Sequence, residues 1–468
     1  MTEKTKKFFL DEHGCAKNQV DGEIIISNLI RAGYERAELV EDADFIVINS
    51  CGFIESAKKE SLDALVAARK MFPKKKIIFA GCLAQRYSEI FKTELPEADG
   101  IFGNGDLNQI ADFAKKILQG KRTVLAPEQA GVNCAERLVN LSYENSVYVK
   151  ITEGCSNHCA FCAIPLIRGE LRSRPSQDVL AEIKSLLRRG VFEINLVGQD
   201  LASYGTEESF ARGKEKSHSP LYDLLEKISA LKGKFWVRLL YIHPDHFPLD
   251  ILELIKKDSR LLAYFDIPFQ SGDDDVIRAM NRKCTRKMYI ELLHKIREAI
   301  PEAAIRTTFL SGFPGESESA FLNTLDFLEE IRADWAGAFC FSKEDGTPAA
   351  KMKNPVPKKL AATRQKILLE AQEKITAENL ARRIKNKNCE YEVLIEEVFS
   401  AEEGEAFAIG RAWFEAPDVD GNFVVRFDGE DEKTRDLVKP GNVVRAKAVG
   451  VSGVDIDSVL VENSDCEK

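Results

Sequence analysis

The stretch that decides the fold runs from Val147 to Pro165, VYVKITEGCSNHCAFCAIP. Its first residues are β-branched, aromatic and apolar in alternation, the pattern of a strand. A glycine ends that strand, and Cys155, Cys159 and Cys162 follow on one short loop. Working outward, FEINLVGQ, FWVRLLYI, YFDIPFQ, AIRTTFLSG and GAFCFS repeat the strand texture. Helical runs such as Ser176 to Arg189, Leu221 to Leu231 and Thr285 to Ala299 separate them. Six β-α repeats are too few for a closed eight-stranded barrel and suit a partial (β/α)6 barrel, spanning 141–384 with its exit helix. The segment Thr206 to Ser219 is Lys-, Glu-, Gly- and Ser-rich and reads as a surface insertion.

Before this barrel, 1–140 alternates strands and helices. Phe8 to His13, Ala43 to Cys51, Lys75 to Cys82 and Gly100 to Gly103 read as strands; Glu23 to Ala32, Ser56 to Met71 and Leu107 to Gln119 read as helices. Repeated β-α units predict a doubly wound parallel sheet with its binding crevice at the strand carboxyl ends. Lys358 to Ile384 is a long Ala/Lys/Glu/Leu helix joining domains. Beyond it, in 385–468, the runs YEVLIEEV, AFAIGRAW, NFVVRFD and VVRAKAVGV with Gly/Asp turns predict a small β-barrel. The class is therefore α/β with a carboxyl-terminal β-barrel.

The chain has 468 residues, 66 Lys/Arg against 75 Asp/Glu, and a formal charge of −9. The charge is not evenly spread: Cys389 to Lys468 holds 20 acids and 8 bases, a net of −12, and the first 388 residues carry +3. That sign argues against a non-specific nucleic-acid coat and permits a local basic groove. There is no run of about 18 apolar residues and no signal-peptide core, so no membrane span is expected and a cytoplasmic location is. Eleven cysteines in such a compartment point to metal or redox chemistry rather than disulfides.

Three cysteines at C-x3-C and C-x2-C spacing fit zinc poorly, because structural zinc takes four closed ligands and no fourth follows nearby. His158, inside the loop, suits a solvent-facing or capping role. A cubane iron–sulfur cluster accepts three cysteines and leaves one iron open. An open iron can bind S-adenosylmethionine and reduce its sulfonium, giving a 5′-deoxyadenosyl radical. A second set, Cys15, Cys51 and Cys82, closes three of the first sheet's strands. Adjacent parallel strands lie about 4.8 Å apart, so their end loops would bring the three thiols into one crevice. Gly14, Gly52 and Gly81 flank them; the alternative is three buried apolar thiols. Cys134, Cys284, Cys340, Cys389 and Cys466 share no motif and read as bystanders.

GCSNHCAFCAIPLIRG resembles the radical motif of the S-adenosylmethionine methylthiotransferases, and the likeness extends from about Phe8 to Glu462. Cys15, Cys51 and Cys82 fall where that family holds an auxiliary cluster, and the carboxyl-terminal region resembles its TRAM domain. NSCGFIESAKKESLDAL and GCAKNQVDGE are similar to the RimO-like branch, which acts on an aspartate β-carbon of small-subunit ribosomal protein twelve. The departures from its GCPKNxVDSE pattern are Ala16 and Gly22. VGQDLASYG and YFDIPFQ also match that branch. The alternative branch modifies a tRNA adenosine (MiaB-like). A −12 barrel argues against gripping tRNA and suits a basic ribosomal protein.

The resemblance implies two 4Fe-4S clusters, held by Cys155, Cys159 and Cys162 and by Cys15, Cys51 and Cys82. It also implies S-adenosylmethionine as both methyl donor and radical source, with a flavodoxin- or ferredoxin-type electron donor. Both clusters must face one cavity, so the two sheets should oppose their strand carboxyl ends. FLSGFPGE, Phe309 to Glu316, resembles the family's cofactor loop; Gly312 and Gly315 could admit the cofactor or simply form a turn. Gln199 and Asp200 could bind cofactor or substrate, or Asp200 could cap a helix. Arg168 and Arg172 could pair with carboxylates of cofactor or substrate, or form surface salt bridges. The acidic run Gly429 to Glu432 could meet a basic partner or be a solvated turn.

Overall fold

The computed structural model describes residues 5–129, 131–134, 136–143, 145–207, 217–385, 389–400 and 405–461. Its first sheet contains β1 (Lys7–Glu12), β2 (Glu35–Arg36), β3 (Phe45–Ser50), β4 (Lys76–Gly81), β5 (Gly100–Phe102) and β6 (Thr123–Leu125). All are parallel, in the order β2-β1-β3-β4-β5-β6. β3, FIVINS, is buried along its whole length, as an apolar run central to a parallel sheet must be. Helices α1 (Ala16–Arg31) and α5 (Ile110–Leu118) cover one face around Phe8, Ile25 and Phe113. Helices α2 (Glu55–Met71), α3 (Cys82–Arg86) and α4 (Ser88–Glu94) flank the other, around Ile48, Leu65 and Phe79. The doubly wound expectation holds. α1 starts at Ala16, earlier than its apolar periodicity indicated, so Cys15 is its N-cap residue.

The second sheet holds β7 (Ser146–Lys150), β10 (Glu193–Val197), β11 (Trp236–Leu239), β12 (Leu261–Asp266), β13 (Ala304–Ser311) and β14 (Trp335–Cys340). They are parallel and lie in sequence order, β14-β13-β12-β11-β10-β7, without closing. A short antiparallel pair, β8 (Thr152–Glu153) and β9 (Arg172–Ser173), brackets the cysteine loop and α6 (Ile164–Arg168). Helices α7 (Ser176–Arg188), α8 (Pro220–Ser229), α9 (Ile251–Lys257), α10 (Asp274–Ala279), α11 (Arg286–Ala299) and α12 (Glu318–Ile331) complete the repeats. Outward strand residues such as Ile194, Leu196, Val237 and Ile305 bury against those helices. Helix α13 (Lys358–Ile384) does more than join domains. It packs against the edge strand β14 and takes Leu368 and Ile375 into the same core. Of the expected insertion, 208–216 lies outside the described residues.

The last body is a closed barrel of β15 (Glu390–Ser400), β16 (Glu405–Arg411), β17 (Phe423–Asp428), β18 (Val443–Ser452) and β19 (Asp455–Leu460), ordered β15-β16-β17-β19-β18. It packs on the strand-start end of the open barrel, sharing a core with Phe192, Trp236 and Ala304. Glu193 on β10 binds Arg238 at 2.8 Å and Arg411 at 2.7 Å, all three fully buried. Tyr148 and Tyr264 donate to Asp418 at 3.0 Å and Asp420 at 2.6 Å, and Trp335 Nε1 donates to the Phe414 carbonyl at 2.8 Å. The acidic run Gly429 to Glu432 is a solvated helix start, where Asp431 caps α14 (Glu432–Leu437) by accepting the Thr434 N–H at 3.1 Å.

Candidate active site

Cys15, Cys51 and Cys82 stand at the carboxyl ends of β1, β3 and β4, which are neighbours in the sheet. The loops converge closely. A Cβ on Gly14, whose φ is +105°, would lie 2.9 Å from the Cys51 Cβ, and one on Gly52 would lie 2.8 Å from the Cys82 backbone. Glycine is thus required where the cysteine loops approach one another. The thiols lie within electrostatic range of one another. Burial pushes Cys51 up to about 11 and Cys82 up to about 12. For Cys15 desolvation acts the same way, but Lys17, Arg168 and the backbone N–H groups at the start of α1 bring it below the usual thiol value.

Cys155, Cys159 and Cys162 lie between β8 and α6. The loop is anchored by the Cys155 N–H to the Gly169 carbonyl at 3.1 Å and the Ala160 N–H to the Met280 carbonyl at 2.9 Å. Burial pushes Cys155 and Cys162 up to about 12 and raises Cys159, which Arg282 opposes from beside it. Cys159 Sγ is 3.7 Å from His243 Nε2. His158, at φ +51°, is turned outward near Glu170, the solvent-facing role its position suggests. Among the described residues no three His, Cys, Asp or Glu side chains close on one point as ligands of a single metal ion would. Each triplet consists of thiols alone, the donor type that an iron–sulfur cluster takes. Five of the six thiols have raised pKa values, so metal loading there would displace protons from neutral thiols.

Arg168 joins the two triplets. Its guanidinium donates to Cys82 Sγ at 3.0 Å, to Asp21 of α1 at 2.8 Å and to Glu153 of β8 at 2.7 Å. Lys150 closes the network by pairing with Asp21 and, at 2.7 Å, with Glu153. All four charged side chains are at most 2% exposed. Burial alone would raise the Glu153 carboxyl, but Arg168 and Lys150 hold it well below the carboxylate range. Cys82 also packs on Ala163 and Ile167 beside the other triplet. The strand carboxyl ends of the two sheets therefore face each other. A second buried cluster, Glu344 with Lys58 at 2.7 Å and with Arg86, pins α2 and α3 to the loop after β14.

The remaining candidate positions divide. Arg168 is neither a surface salt bridge nor free for cofactor, because its donors are consumed inside the junction. Arg172 is likewise engaged, bonding the carbonyls of Gly131, Glu170 and Arg168 and the Gln129 amide. Asp200 caps the turn after β10 through the Ala202 N–H at 3.0 Å, and it also binds Asn157 in the cysteine loop at 2.8 Å and His246 at 2.7 Å. Gln199 donates to Glu153 at 3.2 Å, while its Oε1 and the nearby Thr152 Oγ1 are buried without a partner among the described residues. Such orphaned acceptors suit a polar cofactor group. Gly312 has a packing reason for being glycine: φ is +80° and a Cβ would lie 2.4 Å from Ala361 Cβ. Gly315, at φ +87°, meets nothing, and its N–H binds the Asn354 carbonyl at 2.9 Å, a turn. Phe313 between them packs against Ala160 of the cysteine loop. Lys17, His243, Arg282 and Glu344 escaped the sequence reading. His243 alone carried a usable signal, its position just past a barrel strand's carboxyl end.

Cys134, Cys284, Cys340 and Cys389 lie in neither triplet, and Cys340 only donates to Gln365 at 3.1 Å. Cys466 lies outside the described residues. No helix among the described residues is long and apolar enough to cross a membrane.

Three family models match the chain in order: the Uncharacterized protein family UPF0004 over residues 7–103, the Radical SAM superfamily over 149–328 and the TRAM domain over 389–461. The ribosomal protein uS12 methylthiotransferase RimO of Treponema denticola is 47% identical over 97% of this chain and 100% of its own length. The protein of the same name from Syntrophomonas wolfei is 36% identical, over 95% and 97% respectively. Among solved structures, the radical S-adenosylmethionine methyltransferase TsrM from Kitasatospora setae superposes with a TM-score of 0.52. It is 14% identical, and the match covers 74% of this chain and 77% of that one; that likeness concerns the fold alone. A UPF0004 sheet, a radical SAM barrel and a TRAM barrel in one chain, with near full-length identity to curated relatives, place it in the RimO family of radical S-adenosylmethionine methylthiotransferases.

Proposed function

We propose that this enzyme inserts a methylthio group at the β-carbon of an aspartate in ribosomal protein uS12, acting in the cytoplasm. Cys155, Cys159 and Cys162 would hold a 4Fe-4S cluster, whose chemistry is the reductive cleavage of S-adenosylmethionine, and Cys15, Cys51 and Cys82 would hold a second 4Fe-4S cluster as the source of sulfur. The observation that carries this reading is the Arg168 bridge, which ties the loop of one triplet to a thiol of the other across a buried junction. An aspartate β-hydrogen is too weakly acidic for an ordinary side-chain base, so its removal calls for the radical that bound S-adenosylmethionine supplies. The chain's own residues position: Gln199 and Thr152 carry buried oxygens without a partner among the described residues that a polar cofactor group would fill, and Asp200 and Asn157 steady the cysteine loop. A flavodoxin- or ferredoxin-type donor provides the electron. The acidic TRAM barrel attracts a basic ribosomal protein and repels tRNA.

The test is anaerobic reconstitution with S-adenosylmethionine, a reductant and uS12, followed by mass spectrometry. A gain of one methylthio group on an aspartate is expected. Unmodified uS12 beside a methylthio-adenosine formed in tRNA would overturn the reading.

A further inference from the structure

Around Arg168 and Glu344 the cations that join the two α/β sheets are matched. Lys150 is held by Asp21 and Glu153, Arg168 by Asp21, Glu153 and Cys82, and Lys58 and Arg86 by Glu344. Lys17 is different. It lies in the first turn of α1, two residues past Cys15, and is half-buried. Its ammonium sits 3.5 Å from the centroid of the Tyr241 ring. Among the described residues it has no hydrogen-bond acceptor and no carboxylate at ion-pair distance. Asp266 is within electrostatic range, but its Oδ2 accepts the Tyr241 N–H at 3.2 Å instead. A cation–π contact returns only about 0.5–2 kcal/mol, less than a charge-paired hydrogen bond gives a sequestered ammonium.

The cradle beneath this ammonium is itself under strain. Tyr241 lies two residues past β11 at the barrel's mouth and has φ +68°, a conformation that costs a non-glycine residue of order 1–3 kcal/mol. Asp266 and the Leu201 N–H, which donates to the Tyr241 carbonyl at 2.9 Å, hold it there. The backbone is thus forced into a position that presents the ring to Lys17. The result is an unpaired positive charge beside Cys15, facing the mouth of the barrel that carries the other triplet.

We propose that Lys17, backed by Tyr241, binds the side-chain carboxylate of the substrate aspartate and so sets the carbon next to it between the two cysteine triplets. This rests on the uS12 reading above. It makes Lys17 the residue that distinguishes an aspartate from a neutral isostere such as asparagine, or from an uncharged nucleobase. The competing role, balancing the charge of thiolates at Cys15, predicts an effect on iron retention and none on carboxylate preference.

The test compares anaerobically reconstituted wild type, Lys17→Met and Lys17→Arg. The probes are uS12 and its variant with asparagine at the aspartate that the wild type modifies, and the readout is the dissociation constant of each pair. A hydrogen-bonded charge pair is worth about 1.5–3 kcal/mol, so wild type should favour the aspartate form by roughly 10- to 150-fold. K17M should bind both forms within about threefold of each other, and K17R should recover part of the preference. The three enzymes should hold equal iron. Undiminished aspartate preference in K17M, or loss of iron from it, would overturn the proposal. Failure of wild type itself to bind or modify uS12 would overturn the function on which it rests.

Discussion

Replacing Arg168 with Met should loosen the whole junction, and the structure fixes how much. Arg168 and Lys150 together neutralise Asp21 and Glu153, all within a pocket at most 2% exposed. Methionine fills similar volume but leaves two buried carboxylates sharing one ammonium. Removing one partner from a buried ion pair costs about 3–5 kcal/mol. With about 2–4 °C per kcal/mol for bodies of this size, the apo-protein should melt roughly 6–20 °C lower. The assay is the thermal midpoint of metal-free protein followed by circular dichroism, so that cluster loss contributes nothing. Arg168→Lys keeps the charge without the planar fork and should fall between. Combining Arg168→Met with Asp21→Asn restores neutrality around Lys150 and Glu153. That double variant should be more stable than Arg168→Met alone, a coupling that independent sites would not show. If Arg168→Met melts within about 1 °C of wild type, or if Asp21→Asn lowers it further, the junction is not held by this charge balance.

Three further outcomes follow from particular contacts. Replacing Cys15, Cys51 and Cys82 together by Ala should cut the iron of reconstituted protein from about eight to about four per chain, and unchanged iron would remove the second cluster. Glu193 is held down at about 2 despite burial, because Arg411 and Arg238 face it, against an ordinary 4.5. A depressed carboxyl stabilises above its unfolded value, so Glu193→Gln should lower the melting temperature fully above pH 4.5, and the deficit should shrink as pH falls toward 2. Gly312→Ala should destabilise by about 1–3 kcal/mol through its clash with Ala361, and Ala361→Gly should relieve part of it. Loss of S-adenosylmethionine affinity that Ala361→Gly does not relieve would instead give Gly312 a cofactor role.

The parts of this molecule legible in its sequence are those where local pattern and topology coincide. Helix Lys358–Ile384 could be read to the residue because nothing interrupts its helix formers. The six barrel strands were equally plain, since each is apolar on its helix-facing side. By contrast β2, two residues long, is too short for alternation to register, and β19 alternates Asp and Ser with apolar residues like a turn-rich tail. Within the site, the cysteines declared themselves through spacing and strand-end placement. Arg168 stood out as a candidate, but its bridging role could not be read, because its partners Asp21, Cys82 and Glu153 lie 147, 86 and 15 residues away on three different elements. The packing reason for Gly312 was hidden for a related reason: its neighbour Ala361 sits on a helix that returns only after the barrel is complete.

The TRAM barrel's charge takes on a different meaning once its position is known. Among the barrel's described residues, Glu396, Glu415 and Asp420 are turned inward, as is the base Arg411, so internal pairing withdraws three acids and one base from a module of net −12. The acidic exterior therefore survives the internal pairing. Yet this barrel enters the strand amino-terminal end of the radical SAM sheet, through Glu193, Tyr148 and Trp335, while both thiol triplets lie at the carboxyl end. A five-residue strand such as Ser146–Lys150 spans about 16 Å, so the acidic surface cannot touch the residue being modified. Over that distance charge steers and orients a basic body but does not select one side chain. Selection has to be done at the mouth, by a group in reach of both cysteine loops. If the acidic surface alone set specificity, neutralising it would abolish the preference for aspartate over asparagine. On the division argued here it should slow association, increasingly so at low salt, and leave that preference to Lys17.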